Sequence, residues 1–246
     1  MKRIPLLLFL IIFAFFSRAQ DIDSILPDTI AEGFYQTQYG GVTISGNLKG
    51  YKRTGDWIHQ FPNGQIHILE QYENGKKEGL YMKINRRGDL LVQANYHHDS
   101  LQGSYMEFSP GGRIILKENY VHGYLDGQRE VFYERGGLKE EGIYKMGKRH
   151  GISKWYDMQG QVVAEYNYTD GALDGLQKTF YPDGAGKSET WYAGGVQEGM
   201  YKAFHPNGQP SITGQYKNGL KEGEWEEFDE EGNLRKKVFY KNGEPK

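Results

Sequence analysis

The sequence predicts an all-β fold, an elongated and twisted antiparallel meander of about eight tandem β-hairpin repeats. Three observations carry this. Glycine returns every 24 residues, tyrosine returns at the same interval, and turn signals separate short runs whose apolar residues alternate.

Count positions within a 24-residue frame that starts at Gly55. The first position is Gly55, Gly79, Gly103, Gly127, Gly151, Gly175, Gly199 and Gly223. The tenth is Gly64, Gly88, Gly112, Gly136, Gly160, Gly184, Gly208 and Gly232. The eighteenth is Tyr72, Tyr96, Tyr120, Tyr144, Tyr168, Tyr192, Tyr216 and Tyr240. Position 21 is glycine in seven frames, with Asp99 the exception. The frames 55–78, 79–102, 103–126, 127–150, 151–174, 175–198, 199–222 and 223–246 close on the last residue without an insertion. A period of this length marks a stack of supersecondary units, each contacting only its neighbours.

Each frame reads as two strands and two turns. Pro62-Asn63-Gly64, Pro182-Asp183-Gly184 and Pro206-Asn207-Gly208 form one turn type, and Asn74-Gly75, Asn218-Gly219 and Asn242-Gly243 the other. Proline presets φ at the start of such a turn, and glycine or asparagine accepts the positive φ that follows. Positions 2 to 7 and 11 to 18 are then strands. In the second, apolar residues at 12 (Ile66, Leu90, Ile114) and 14 (Ile68, Val92, Leu116) share a face with the tyrosine at 18.

A two-residue turn at Asn218-Gly219 pairs Lys217 with Leu220 and Tyr216 with Lys221, and carried onward it sets Ile212 against Trp225. The same count sets Ile68 against Tyr81 and Val92 against Tyr105, aromatic against β-branched, which is a favourable cross-strand contact. Rings at position 3 (Trp57, Trp225) and position 6 (Phe108, Phe132, Phe180, Phe204, Phe228) differ in parity, so they point to opposite faces unless a bulge intervenes. An isolated hairpin is marginal in water, so the repeats must stack, and the last strand replaces the apolar residue at position 14 with Lys236 as edge protection.

Upstream of the array, residues 1–20 combine Lys2 and Arg3, an apolar run over residues 4–16, and small residues Ser17 and Ala19. This is the pattern of a secretory signal peptide, residues 1–19, cut after Ala19. The run is shorter than the roughly 20 residues of a membrane-spanning helix. The expected destination is periplasmic, outer-surface or extracellular. Residues 20–54 read as an acidic tail followed by a degenerate capping half-repeat, with Gly50-Tyr51 out of step with the frame.

Composition narrows the chemistry. Formal charge is −2, and removing Lys2, Arg3 and Arg18 with the leader leaves 27 basic against 32 acidic residues, so nucleic acid is not an expected partner. The chain has no cysteine, which excludes disulfides, thiolate catalysis and cysteine-based zinc sites. Nineteen tyrosines, twelve phenylalanines and a mean hydropathy of −0.73 suit half-solvated strands.

The copy Tyr216-Lys217-Asn218-Gly219-Leu220-Lys221-Glu222-Gly223-Glu224-Trp225 resembles the MORN repeat, in the variant found in bacterial YwqK-like proteins labelled antitoxins. The resemblance spans residues 55–246. It implies a sheet of successive hairpins acting as a scaffold, with protein interaction as its general role and membrane lipid as a secondary association. The antitoxin label implies a toxin partner, whereas this chain departs from a cytoplasmic antitoxin by its leader. It also departs from the ring pattern with Arg129, Ser153 and Gln177 at position 3.

No reactive constellation is legible. His59, His67, His97, His98, His122, His150 and His205 read as turn histidines without metal spacing; His98 and His122 share position 20, but two strand spacings separate them by roughly 10 Å. Acidic residues at position 24 (Glu78, Asp126, Asp174, Glu198, Glu222) read as solvated turn residues, since a flat ladder does not build the cleft of a glycosidase. Gly186-Lys187-Ser188 lacks both the first glycine and the strand-loop-helix context of a phosphate loop. No catalytic residue, cofactor or metal is assigned. The expectation is a non-catalytic exported scaffold with a protein partner, the alternatives being an antitoxin and a cell-surface glycan-binding or glycan-processing protein. Candidate binding rings are Trp57, Tyr81, Tyr105, Tyr201 and Trp225.

Overall fold

The computed structural model describes residues 30–246, so the leader and most of the acidic tail lie outside the described residues. The described residues form one open antiparallel sheet of 21 strands and contain no helix. Pairing follows chain order, from Glu32–Tyr39 against Val42–Lys49 to Leu234–Lys241 against Glu244–Pro245. Two strands are each broken at a single residue, giving Ser100–Leu101 with Gly103–Phe108 and Ala172–Leu173 with Gly175–Phe180.

The two turn types close by different means. In the proline-bearing turn the position-10 glycine N–H donates to the position-7 carbonyl, as Gly64 does to Phe61 at 2.8 Å, and the position-7 N–H donates to position 11. This is a three-residue hairpin whose glycine, at φ 82° for Gly64, holds the left-handed bulge position. In the other turn both residues take positive φ, 50° at Asn218 and 77° at Gly219, which matches the twist of the flanking strands. Its position-21 N–H donates to the position-23 carbonyl of the preceding repeat in every repeat, as from Gly219 to Gln197 at 2.9 Å. Successive turns therefore dock on one another through the backbone.

The register near the turns is as the loop count predicts: Lys217 faces Leu220 and Tyr216 faces Lys221. Beyond them it slips by two residues, and the predicted partners are wrong. Thr213 pairs with Glu226 and Ile212 with Glu227, so Trp225 faces Gly214. Tyr81 faces Glu70, and Val92 pairs with Glu107, which sets Tyr105 beside Ala94. The cause is the first glycine column. Gly223, Gly79 and Gly103 adopt φ of 71°, 94° and 78°, and extra residues enter the strand there as a bulge.

A second irregularity lies in the partner strand opposite the position-6 rings, so positions 3 and 6 keep their opposite parity. Position 5 pairs with position 14 and position 6 with position 12, as His59 with Ile68 and Gln60 with Ile66, leaving position 13 unmatched. Cross-strand partners share a face, so positions 12 and 14 do not, contrary to the alternation read from sequence. Ile66, Ile114 and Leu234 at position 12 are accordingly exposed.

Upstream, Gly50 and Tyr51 take φ of 56° and 63° and occupy the place of Asn74 and Gly75 in frame. The cap falls out of step only at Gly40-Gly41, where a two-residue turn replaces the three-residue loop. Its strand supplies Ile44 and Leu48, which pack with Trp57 and Tyr72 as the apolar cluster of that end.

Candidate interaction surface

The two-residue slip aligns position 3 of each repeat with position 16 of the strands on both sides. Trp57, Glu70, Tyr81, Ala94, Tyr105, Glu118, Arg129, Gly142, Ser153, Tyr166, Gln177, Thr190, Tyr201, Gly214, Trp225 and Val238 thus form one row down the sheet. This row holds most of the buried side chains. Trp57, Ala94 and Ser153 have no exposed surface, and Glu70, Glu118, Gln177, Thr190 and Trp225 are buried with them.

All five candidate rings stand in this row, in different circumstances. Trp57 and Trp225 lie flat on Gly46 and Gly214, where a Cβ would overlap the indole, and each donates its Nε1–H to a backbone carbonyl, Asn47 and Gln215, at 3.2 Å. Neither presents a ring face to a ligand. Tyr81, Tyr105 and Tyr201 are half-buried and meet the tyrosine column edge-on, with Tyr81 to Tyr96 at 5.9 Å between centroids and Tyr105 to Tyr120 at 6.0 Å. Burial, with the charge of Glu70, pushes Tyr81 up to about 12, so the phenol is neutral at physiological pH.

Charged groups stand in the row at Glu70, Glu118 and Arg129. Glu70 takes His59 Nε2 at 3.2 Å and Lys77 Nζ at 2.9 Å, while the Arg53 guanidinium lies 3.9 Å over the Tyr72 ring. Burial alone would raise Glu70; the His59 hydrogen bond and the Lys77 charge outweigh it and hold the carboxyl at about 2. In the middle repeats Arg129 replaces a ring and joins Glu118 at 2.8 Å to Glu140 at 3.1 Å. Arg149 also bonds Glu140 and reaches Ser153 at 3.1 Å. Gln177 bonds the Asn167 N–H and carbonyl at 2.8 and 3.2 Å. The three departures from the ring pattern are therefore satisfied polar links in the buried row.

The position-24 acids are not merely solvated. Each of the five accepts the position-20 N–H of the next repeat: Glu78 from His98, Asp126 from Met146, Asp174 from Gly194, Glu198 from Asn218 and Glu222 from Asn242, at 2.6–3.3 Å. At the other edge, position 7 reaches the position-6 carbonyl of the next repeat, as Tyr133 to Tyr156 and Tyr181 to Phe204.

The histidines divide as well. His59 is buried on Glu70, and His205 Nε2 sits 2.9 Å from the Phe228 carbonyl, so neither is a free turn residue. His98 meets His97 and Glu78, not His122.

The opposite face carries a different arrangement, which the sequence reading did not single out. Ile143, Ile152, Leu176, Trp191, Met200 and Phe239 occupy positions 17 and 2. Leu176 pairs with Trp191, Trp191 faces the bulge that contains Met200, and Ile143 faces the bulge that contains Ile152. Trp191 is 45% exposed and Met200 57%. Beside this apolar stripe runs a ladder of both charge signs, including Lys154 to Glu165 at 4.0 Å, Lys178 to Glu189 at 3.8 Å and Glu226 to Lys237 at 3.2 Å. The signal was present: position 17 is an amide in five frames and apolar at Ile143, Trp191 and Phe239.

A search of curated proteins finds no match to the chain. The family model described as MORN repeat variant matches residues 53–76, 125–146, 149–170, 173–193, 197–218 and 221–242, together more than half of the chain. Its units coincide with the bulged hairpins whose glycines, tyrosines and stacked turns build the sheet. The chain belongs to the MORN repeat variant family.

Proposed function

We propose that this protein is a non-catalytic scaffold of a bacterial envelope or cell surface that holds a protein partner on the stripe-bearing sheet face. The observation that carries the reading is the apolar run Leu176, Trp191 and Met200, with exposed Ile143 and Ile152 beyond Asn167 on the same face, beside a ladder of alternating charge; Gln215 and Glu224 separate Phe239 from this run. Soluble proteins rarely expose contiguous apolar surface without a use for it, and aromatic and methionine side chains with a polar rim are the composition of protein interfaces. Both charge signs flank the stripe, which favours a protein over an anionic lipid surface, where basic residues would dominate. A glycan stacked on the ring set is disfavoured by the packing of Trp57 and Trp225. Export rests on the leader pattern in residues 1–20.

The experiment compares wild type with a Trp191→Glu, Met200→Glu variant in quantitative affinity capture from envelope extract, with glycan-array and lipid-vesicle binding in parallel. Loss of a specific captured protein in the variant, with unchanged circular dichroism, supports the proposal. Equal capture by both proteins, or binding only to glycan or vesicles, overturns it.

A further inference from the structure

We propose that Glu78, His97 and His98 form a binding site for a divalent transition-metal ion of zinc-like preference on the turn edge of the sheet. The position-24 cap places the carboxylate. Glu78 Oε2 accepts the His98 N–H at 2.9 Å, and this leaves Oε1 facing His97 Nδ1 at 2.8 Å. His98 Nδ1 lies 2.9 Å from His97 Nε2, and one ligating atom from each of the three residues falls within a 4.8 Å span.

The capped turn recurs along the array, but ligands do not. Positions 19 and 20 are Lys145-Met146, Ala193-Gly194, Lys217-Asn218 and Lys241-Asn242 in other capped turns, and the imidazole pair occurs only at His97-His98. The next residue departs too. Asp99 replaces the glycine of the seven other frames at φ 68°, and its Oδ1 accepts the Lys77 N–H at 2.7 Å. Aspartate is among the few residues that accept the positive φ this two-residue turn requires. The histidine pair and Asp99 fall between residues 76 and 125, where the family model matches no segment.

Two imidazoles and one carboxylate make a nitrogen-rich, borderline set suited to Zn²⁺, Ni²⁺ or Cu²⁺ rather than to Mg²⁺ or Ca²⁺, which prefer oxygen. Three protein ligands leave a coordination position for water or an external donor. Both imidazoles are exposed, so an ion reaches them from solvent and small ring rotations exchange the present contacts for metal bonds.

The test is isothermal titration of the untagged, purified chain with ZnCl₂ alone, with MgCl₂ and CaCl₂ as comparators. Saturable binding of a single Zn²⁺ per chain is expected, with affinity about tenfold or more weaker in His97→Asn and in His98→Gln. His122→Asn, an exposed histidine in the equivalent turn, is expected to bind like wild type. Absence of saturable Zn²⁺ binding, or binding of equal affinity in the His97→Asn, His98→Gln double variant, overturns the proposal. Circular dichroism of each variant checks that the sheet is intact.

Discussion

Trp225 rests on Gly214 across the strand pair, its ring occupying the space a Cβ at Gly214 would need, and Trp57 repeats this on Gly46 at the other end of the array. Two tryptophans 168 residues, or seven frames, apart thus solve the same packing problem in the same way.

Gly214→Ala is therefore expected to destabilise the C-terminal repeats by about 1–3 kcal/mol, the usual cost of overpacking, read as a lower denaturant midpoint. Adding Trp225→Ala removes the clash but loses the ring, so the double variant is expected to fall short of the sum of the two single costs. Strict additivity would mean that ring and glycine are not in contact.

Glu70 makes the N-terminal half acid-sensitive. Its folded value of about 2 lies below the ordinary 4.5, so its stabilisation is complete above about pH 4.5 and is lost as pH falls toward 2. The full shift corresponds to at most about 3 kcal/mol. Glu70→Gln is expected to be less stable at pH 7 and to lose less stability between pH 5 and about 2.5 in thermal scans. An unchanged pH slope would show that other carboxyls govern acid unfolding.

Arg129 holds two carboxylates together in the middle of the row. Arg129→Met leaves Glu118 and Glu140 without their shared cation, and a loss of about 3 kcal/mol is expected, partly offset by Arg149 on Glu140. Chemical unfolding followed at Trp155 and Trp191 would report it, because both indoles lie in the repeats that follow.

The position-24 caps link neighbouring repeats. Glu198→Ala removes the acceptor for the Asn218 N–H and is expected to cost about 1 kcal/mol. Amide hydrogen exchange at Asn218 should accelerate while exchange at Asn242, capped by Glu222, stays the same. Equal acceleration at both sites would mean that the repeats open as one unit.

Much of the architecture was readable because turn chemistry is local. Gly64 and Asn218-Gly219 declare their loops, and loop length sets the nearest pairs, Lys217 with Leu220 and Tyr216 with Lys221. The site was legible only in part. The rings at Trp57 and Trp225 were visible in sequence, but the loop count carried past the bulge set Trp225 against Ile212. A glycine at a bulge looks the same in one dimension as a glycine at a turn. The meeting of His97 with Glu78 was hidden for a related reason: the residues are 19 apart and belong to different frames, and the docking of one turn on the preceding one brings them together.

The sequence by itself determined the repeat, the all-β hairpins, the two turn types and the family, since each depends on residues within one 24-residue unit. Only the tertiary structure decided which residues share a face. The bulge at position 1 and the unmatched residue at position 13 are set by backbone pairing between strands, and a slip of one or two residues there changes the partner of every side chain beyond it.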